Sequence, residues 1–138
     1  METKLNPYLN FRNQTRQAME FYKSVFGGKL DLFTFKDFHA SPDPSEDDKI
    51  MHAVLEAGHG ITFMSADTPN SMEYKPGNNF SMSLGGDDEP ELSGYFKKLA
   101  VGGTVTMPLA KAAWGDTFGM VVDKFGISWQ VNVSPKKD

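Results

Sequence analysis

Gly60-Ile61-Thr62-Phe63-Met64 and Gly126-Ile127-Ser128-Trp129-Gln130 are the two stretches on which the reading of this chain turns. Each leaves a glycine, continues through isoleucine and a hydroxyl residue, and puts an aromatic ring fourth, as a strand emerging from a tight turn does. A second match precedes each of them in the same order. Phe21-Tyr22-Lys23 running to Gly27-Gly28 recurs as Tyr95-Phe96-Lys97 running to Gly102-Gly103, with one residue inserted. Two ordered matches at the same structural places indicate an internal duplication.

Working outward, Leu5 to Phe11 alternates, with Leu5, Pro7, Leu9 and Phe11 on one side and Asn6, Tyr8 and Asn10 on the other, which predicts a half-buried strand with Pro7 near an edge or at its start. From Thr15 the period changes. Ala18, Met19, Phe21, Tyr22, Val25 and Phe26 form one face of a helix that Gly27-Gly28 ends. Lys29 to Phe38 reads as a strand, followed by a Pro/Asp/Ser-rich loop at Ala40 to Asp48 that is expected to be mobile. Ile50 to Ala57 and Ile61 to Ala66 are two more strands, and Ala57-Gly58-His59-Gly60 between them supplies the positive-φ residues that a tight hairpin needs.

Asp67 to Asn78 reads as a polar linker, and then the pattern starts again. Asn79 to Gly85 alternates, Asp88 to Val101 is helical with Leu92, Tyr95, Phe96 and Leu99 on one face, and Thr104 to Leu109, Thr117 to Val122 and Ile127 to Val133 are strands. The expectation is one domain over residues 1–138, made of a βαβββ unit at 1–66, the linker at 67–78 and a second βαβββ unit at 79–138.

Composition narrows the chemistry. With no cysteine among 138 residues, a disulfide framework, a thiolate nucleophile and a cysteine-based zinc site are all excluded. A net charge of −4, with fourteen Lys and Arg scattered along the chain, argues against a surface that tracks nucleic acid. Glu46 to Asp48 and Asp87 to Glu89 read as solvated loop and helix-start charge. No stretch approaches the roughly 18 apolar residues of a membrane span, and no apolar leader is evident, so the expected compartment is the cytoplasm, with no membrane partner.

Asn6-Pro7-Tyr8-Leu9-Asn10-Phe11, Glu20-Phe21-Tyr22 with Phe26-Gly27-Gly28, Trp114-Gly115-Asp116-Thr117-Phe118-Gly119 and Asp123-Lys124-Phe125-Gly126-Ile127-Ser128-Trp129-Gln130-Val131-Asn132 together resemble the PhnB-like branch of the vicinal-oxygen-chelate superfamily, which includes glyoxalases, extradiol dioxygenases and bleomycin-binding proteins. The similarity covers nearly the whole chain. It implies an α+β fold in which two βαβββ units form a curved mixed sheet around a cavity, the glyoxalase/bleomycin-resistance fold, and it implies homodimers. Members of the branch often carry a ubiquinone methyltransferase label. This sequence has no glycine-rich loop at a strand-to-helix junction of the kind a nucleotide-like cofactor requires, so no cofactor is expected.

In metal-using members of the superfamily, ligands arise from the first and fourth strands of each unit. The Gly-Ile match places Met64 and Gln130 at the fourth-strand positions. The first-strand candidates are Asn6 or Pro7 and Asn79 or Ser81. Thioether and amide groups are poor ligands for a divalent ion that prefers imidazole or carboxylate, so no metal is expected.

His39 borders the Pro-rich loop, His59 sits in a hairpin turn, and His52 alternates with Met51 and Ala53 within a strand, pointing to a defined face. His52 reads either as a hydrogen-bonded structural residue or as a catalytic base. Trp114, Asp116 and Phe118, placed on one face of a strand, read either as a mouth for a planar or cationic ligand or as a packed hairpin whose carboxylate satisfies turn amides. Ser128, Gln130 and Asn132 share a face opposite Trp129, Val131 and Val133. Met64, Met82 and Met120 read as strand core filling. No Ser-His-Asp arrangement can be ordered.

The leading expectation is a metal-independent binder of a small organic ligand, using Asn6, Tyr8, Asn10, Met64, Trp114, Phe118, Gln130 and Asn132 together with His52. One alternative is a lyase or isomerase with His52 or Asp116 as base. The other is antibiotic sequestration in the manner of bleomycin-resistance proteins.

Overall fold

A computed structural model describes residues 2–136. The chain divides into two compact units, Met1–Pro76 and Gly77–Asp138, each built on one four-stranded mixed sheet and one α-helix.

The first unit runs β1 (Tyr8–Phe11), α1 (Thr15–Phe26), β2 (Lys29–Thr34), β3 (Ile50–Gly58) and β4 (Ile61–Asp67), with sheet order β1-β4-β3-β2. β1 lies parallel to β4, and the other neighbours are antiparallel. β1 is shorter than the predicted Leu5 to Phe11. Pro7 has no N–H to give the ladder and enters it only as an acceptor, from Met64 N at 3.0 Å. Leu5 stays outside and is 99% exposed, so the buried side of this strand is Leu9 and Phe11 alone.

β2 also stops early, because Thr34 and Asp37 close a turn on each other: Thr34 N donates to Asp37 Oδ2 and Asp37 N donates to Thr34 Oγ1. The loop beyond it is more ordered than its composition predicts. Asp43 caps a short 3-10 turn at Pro44–Glu46, and Glu46 is buried. One Glu46 oxygen accepts from Ser41 Oγ; the other accepts from Lys49 Nζ at 3.2 Å and from Asn70 N at 2.9 Å, which ties the loop to the segment after β4.

β4 continues to Asp67, one residue past the predicted end. Its buried carboxylate accepts from Gln14 N and Thr15 N through Oδ1 and from Ile50 N through Oδ2. A single side chain thereby caps α1, whose N-cap Gln14 offers no side-chain bond, and fixes the start of β3.

The second unit runs β5 (Met82–Gly86), α2 (Glu89–Leu99), β6 (Thr104–Lys111), β7 (Thr117–Val122) and β8 (Ser128–Val133), with order β5-β8-β7-β6 and the same parallel pairing of first and last strands. β5 begins three residues after the predicted Asn79; Phe80 lies outside it and is half exposed, while Met82 and Leu84 face the core. Asp123 organises the β7–β8 turn, accepting from Phe125 N and Ile127 N through Oδ1 and from the Trp129 indole N–H through Oδ2.

Each helix covers one face of its own sheet. In the first unit Ala18, Met19, Tyr22, Val25 and Phe26 bury against Ala53, Leu55 and Phe63, with the Tyr22 and Phe63 rings edge-on at 5.5 Å. In the second, Leu92, Phe96 and Leu99 bury with Val121, Trp129 and Val131. Each large apolar side chain so buried stabilises the fold by roughly 1.5–3 kcal/mol.

The duplication extends to backbone clearance. A Cβ at Gly28 would lie 2.3 Å from the carbonyl oxygen of Glu56, and one at Gly103 would lie 2.3 Å from that of Val122. The second glycine of each helix-ending pair therefore admits the neighbouring strand's backbone at the same place in each unit.

Candidate functional site

The face of each sheet turned away from its helix carries the half-buried polar and aromatic residues, and strand register fixes which of them meet. In the first unit Tyr8 pairs with Met64, Met64 with Val54 and Val54 with Asp31, making one row across all four strands. In the second, Ser83 pairs with Gln130, Gln130 with Met120 and Met120 with Met107. Met64 and Gln130 thus occupy equivalent positions. Their first-strand partners are Tyr8 and Ser83, which corrects the expected Asn6 or Pro7 and Asn79 or Ser81. All four of those residues precede the strands that the ladder defines.

His52, on β3, is half-buried on this face of the first unit. The Tyr8 hydroxyl lies 3.3 Å from its Nδ1. Phe33, registered opposite His52, stacks on the imidazole at 6.4 Å with 20° between planes, and Phe38 follows Phe33 at 5.6 Å. Four rings, Tyr8, His52, Phe33 and Phe38, therefore run in file. Burial raises the Tyr8 pKa above its ordinary value, so the phenol keeps its proton at neutral pH and remains able to donate to imidazole.

Asn10 is exposed two residues along β1 from Tyr8, on the same side, and Met64 is half-buried between Tyr8 and Val54. Asn6 lies before β1 and does not join the file. His39 and His59 are exposed, each with positive φ, at 49° and 51°.

In the second unit Asn132 stands opposite Phe118, and its amide donates to Asp116 Oδ2 at 2.9 Å. Trp114 meets Phe118 edge-on, with ring centres 5.5 Å apart. Trp114 and Asp116 do not alternate along a strand as expected. They belong to the turn between β6 and β7, closed by Ala112 N donating to Asp116 O at 2.7 Å; only Phe118 lies on the strand. Ser128, Gln130 and Asn132 share the half-buried face, and Trp129, Val131 and Val133 are buried on the other, as the alternation predicts.

Sequence reasoning missed Phe33 and Phe38 as members of the site. The alternation of Lys29 to Phe38 puts Phe33 on a defined side, but its pairing with His52 depends on register across the 18 intervening residues and a bulge after Phe33. A cleft of about 360 Å³ lined by Asn13, Arg16, Gln17, Ser45, Asp48, Lys49, Ile50 and Asp67 was also not foreseen. Lys49 and Asp67 there are already engaged by the chain's own groups.

Two groups that the superfamily and its methyltransferase label imply can be tested against these residues. The first is a divalent metal. The register positions supply a phenol, a thioether, a hydroxyl and an amide, and among the described residues no group of three or more His, Asp or Glu could hold an ion, so the donor set does not fit. The second is a nucleotide-like methyl donor. The strand-to-helix junctions that would seat it are closed by carboxylates, Asp67 on α1 and Asp88, which accepts from Glu91 N, on α2; these do not fit either.

Among the described residues no helix is long and apolar enough to cross a membrane. The family described as 3-demethylubiquinone-9 3-methyltransferase matches residues 3–132. The chain is 35% identical to protein PA1353 of Pseudomonas aeruginosa, covering 98% of this chain and 100% of that one, with a TM-score of 0.83. A PhnB protein of Bacillus cereus bearing the same methyltransferase description is 26% identical over 96% of this chain and 100% of its own, with a TM-score of 0.71. A glyoxylase/bleomycin resistance protein/dioxygenase domain from Frankia shares the fold at a TM-score of 0.66, with 12% identity over 100% of this chain and 96% of its own.

Proposed function

Because this chain belongs to the PhnB-like family described as 3-demethylubiquinone-9 3-methyltransferase, with the glyoxalase/bleomycin-resistance fold, we propose that it is a metal-independent binder of a small planar organic molecule, held on the first unit's helix-distal face around His52. The observation that carries the reading is the file of Tyr8, His52, Phe33 and Phe38. A run of aromatic rings favours an apolar, flat ligand, and the imidazole gives it a polar handle. Asn10 and Met64 flank the file on the same face of the first unit.

Neither a metal nor a methyl donor enters this reading, since Tyr8, Met64, Ser83 and Gln130 are the wrong donors for one and Asp67 and Asp88 close the junctions that would seat the other. The chain is proposed to act in the cytoplasm as a homodimer, which sedimentation equilibrium of the purified protein tests directly.

A second reading, a lyase or isomerase with His52 as general base, draws on the same contact in the opposite sense: with Nδ1–H donating to the Tyr8 oxygen, Nε2 is left free to take a proton. A base oriented by a third group is the usual arrangement for proton abstraction. His52→Ala separates the two. Loss of ligand affinity favours the binder; loss of turnover with affinity retained favours the enzyme.

A further inference from the structure

We propose that the corner formed by Trp114, Asp116 and Phe118 in the second unit is a binding site for a small organic ammonium ion. The turn that carries it is held at both ends: Lys111 pairs with Thr117, Ala112 N donates to Asp116 O, and Gly115 N donates to Ala112 O at 3.0 Å, with Gly115 at φ 98°. Trp114 is 64% exposed, yet its indole is positioned by the edge-on contact with Phe118. An exposed indole held in a set orientation presents aromatic surface that no part of the described chain uses.

Asp116 supplies the charge. One carboxylate oxygen takes the Asn132 amide, and Asn132 stands opposite Phe118, so the carboxylate is anchored beside the ring pair. Among the described residues no lysine, arginine or histidine pairs with it. Lys111 does not compensate it, because the strand pairing sets Lys111 with Thr117 and Ala110 with Phe118, which puts Lys111 on the opposite face from the ring.

A half-buried carboxylate beside an edge-on ring pair with an exposed indole selects its occupant by chemistry. An anion is repelled, and a neutral ligand desolvates the carboxylate without return. An alkylammonium gains from the carboxylate and the exposed indole together.

The test uses tryptophan fluorescence of the full chain. Trp114 is exposed and the other tryptophan, Trp129, is buried at 2% exposure, so a ligand at the corner is read through Trp114, and Trp114→Phe provides the blank. The probes are choline and its uncharged isostere 3,3-dimethylbutan-1-ol. The expected result is a saturable response to choline, about tenfold weaker for the alcohol, absent in Trp114→Phe. Asp116→Asn, which keeps an acceptor for Asn132, should erase the preference with circular dichroism unchanged. Equal affinity for the two probes in the wild-type chain, or a response that never saturates, overturns the proposal without recourse to any variant. Preference for choline that survives in Asp116→Asn overturns it as well.

Discussion

The Tyr8 hydroxyl reaches Nδ1 of His52 at 3.3 Å across the intervening strand β4, tying the first strand of the unit to the third on the face that α1 leaves bare. This contact joins the Tyr8 ring to the imidazole and so makes one continuous file of the four rings. It orients the imidazole, and the imidazole in turn stacks with Phe33. Tyr8 is thus a positioning residue for His52.

Two tyrosines should ionise late in an alkaline titration followed by ultraviolet absorbance. Burial raises Tyr8, and for Tyr95 burial, then the hydrogen bond to Glu91 and the nearby carboxylates, push the phenol up to about 12. A folded pKa above the unfolded one means that the associated stability is fully present below the unfolded value near 10 and is lost as pH rises through about 12. Tyr95→Phe should remove that part of the alkaline stability loss, leaving the curve near neutrality little changed.

Glu46 should set an acid-side limit on the loop at residues 40–48. The Asn70 backbone N–H, with help from Ser41 and Lys49, lowers its pKa from an ordinary value of 4.5 despite the opposing effect of burial. The folded pKa is depressed, so its stabilisation is present above the unfolded value and disappears as pH falls through the lower folded one. In Glu46→Gln the acid-dependent step should vanish, and limited proteolysis at neutral pH should cut within the loop sooner than in the wild type. Unchanged cleavage would mean that the carboxylate does not hold the loop.

Gly28→Ala should destabilise far more than Gly27→Ala. Both have positive φ, at 90° and 75°, which costs a non-glycine residue about 1–2 kcal/mol. Only Gly28 also meets backbone, at 2.3 Å from Glu56 O, whereas nothing lies within 4 Å of a Cβ at Gly27. Overpacking against backbone adds about 1–3 kcal/mol, and Gly103→Ala should show the same excess in the second unit. Urea melts of the three variants give the comparison.

The fold was legible because duplication wrote its pattern twice. The Phe21-Tyr22 and Tyr95-Phe96 segments became α1 and α2, and the paired Gly-Ile segments lead into β4 and β8. The first strands were read less well. Pro7 stopped the ladder where alternation alone ran on to Leu5, and Asn79 carried the alternation three residues ahead of β5. A period-2 pattern records which side a residue faces and is silent about whether a partner strand is there to receive its hydrogen bonds.

The site was legible in part for the same reason. His52, Tyr8 and Asn10 were placed on a face by alternation within their own strands. Phe33 was missed as a partner of His52 because strand register is a long-range property. Trp114 and Asp116 were given to a strand because Phe118, two residues on, does lie on one; the turn that holds them depends on a backbone bond from Ala112 to Asp116. Asp67 looked like the first residue of a linker, and its carboxylate instead caps a helix and starts a strand.

Metal-independent recognition of a flat organic molecule at His52 is read as the ligand-induced rise in melting temperature across a panel of small aromatic compounds in the presence of excess chelator. A compound at a hundred times its Kd adds about 2.7 kcal/mol of apparent stability. At least one planar compound should raise the melting temperature by several degrees, with the rise unchanged by chelator and lost in His52→Ala. A rise that requires added divalent ion, or that persists undiminished in His52→Ala, would contradict it.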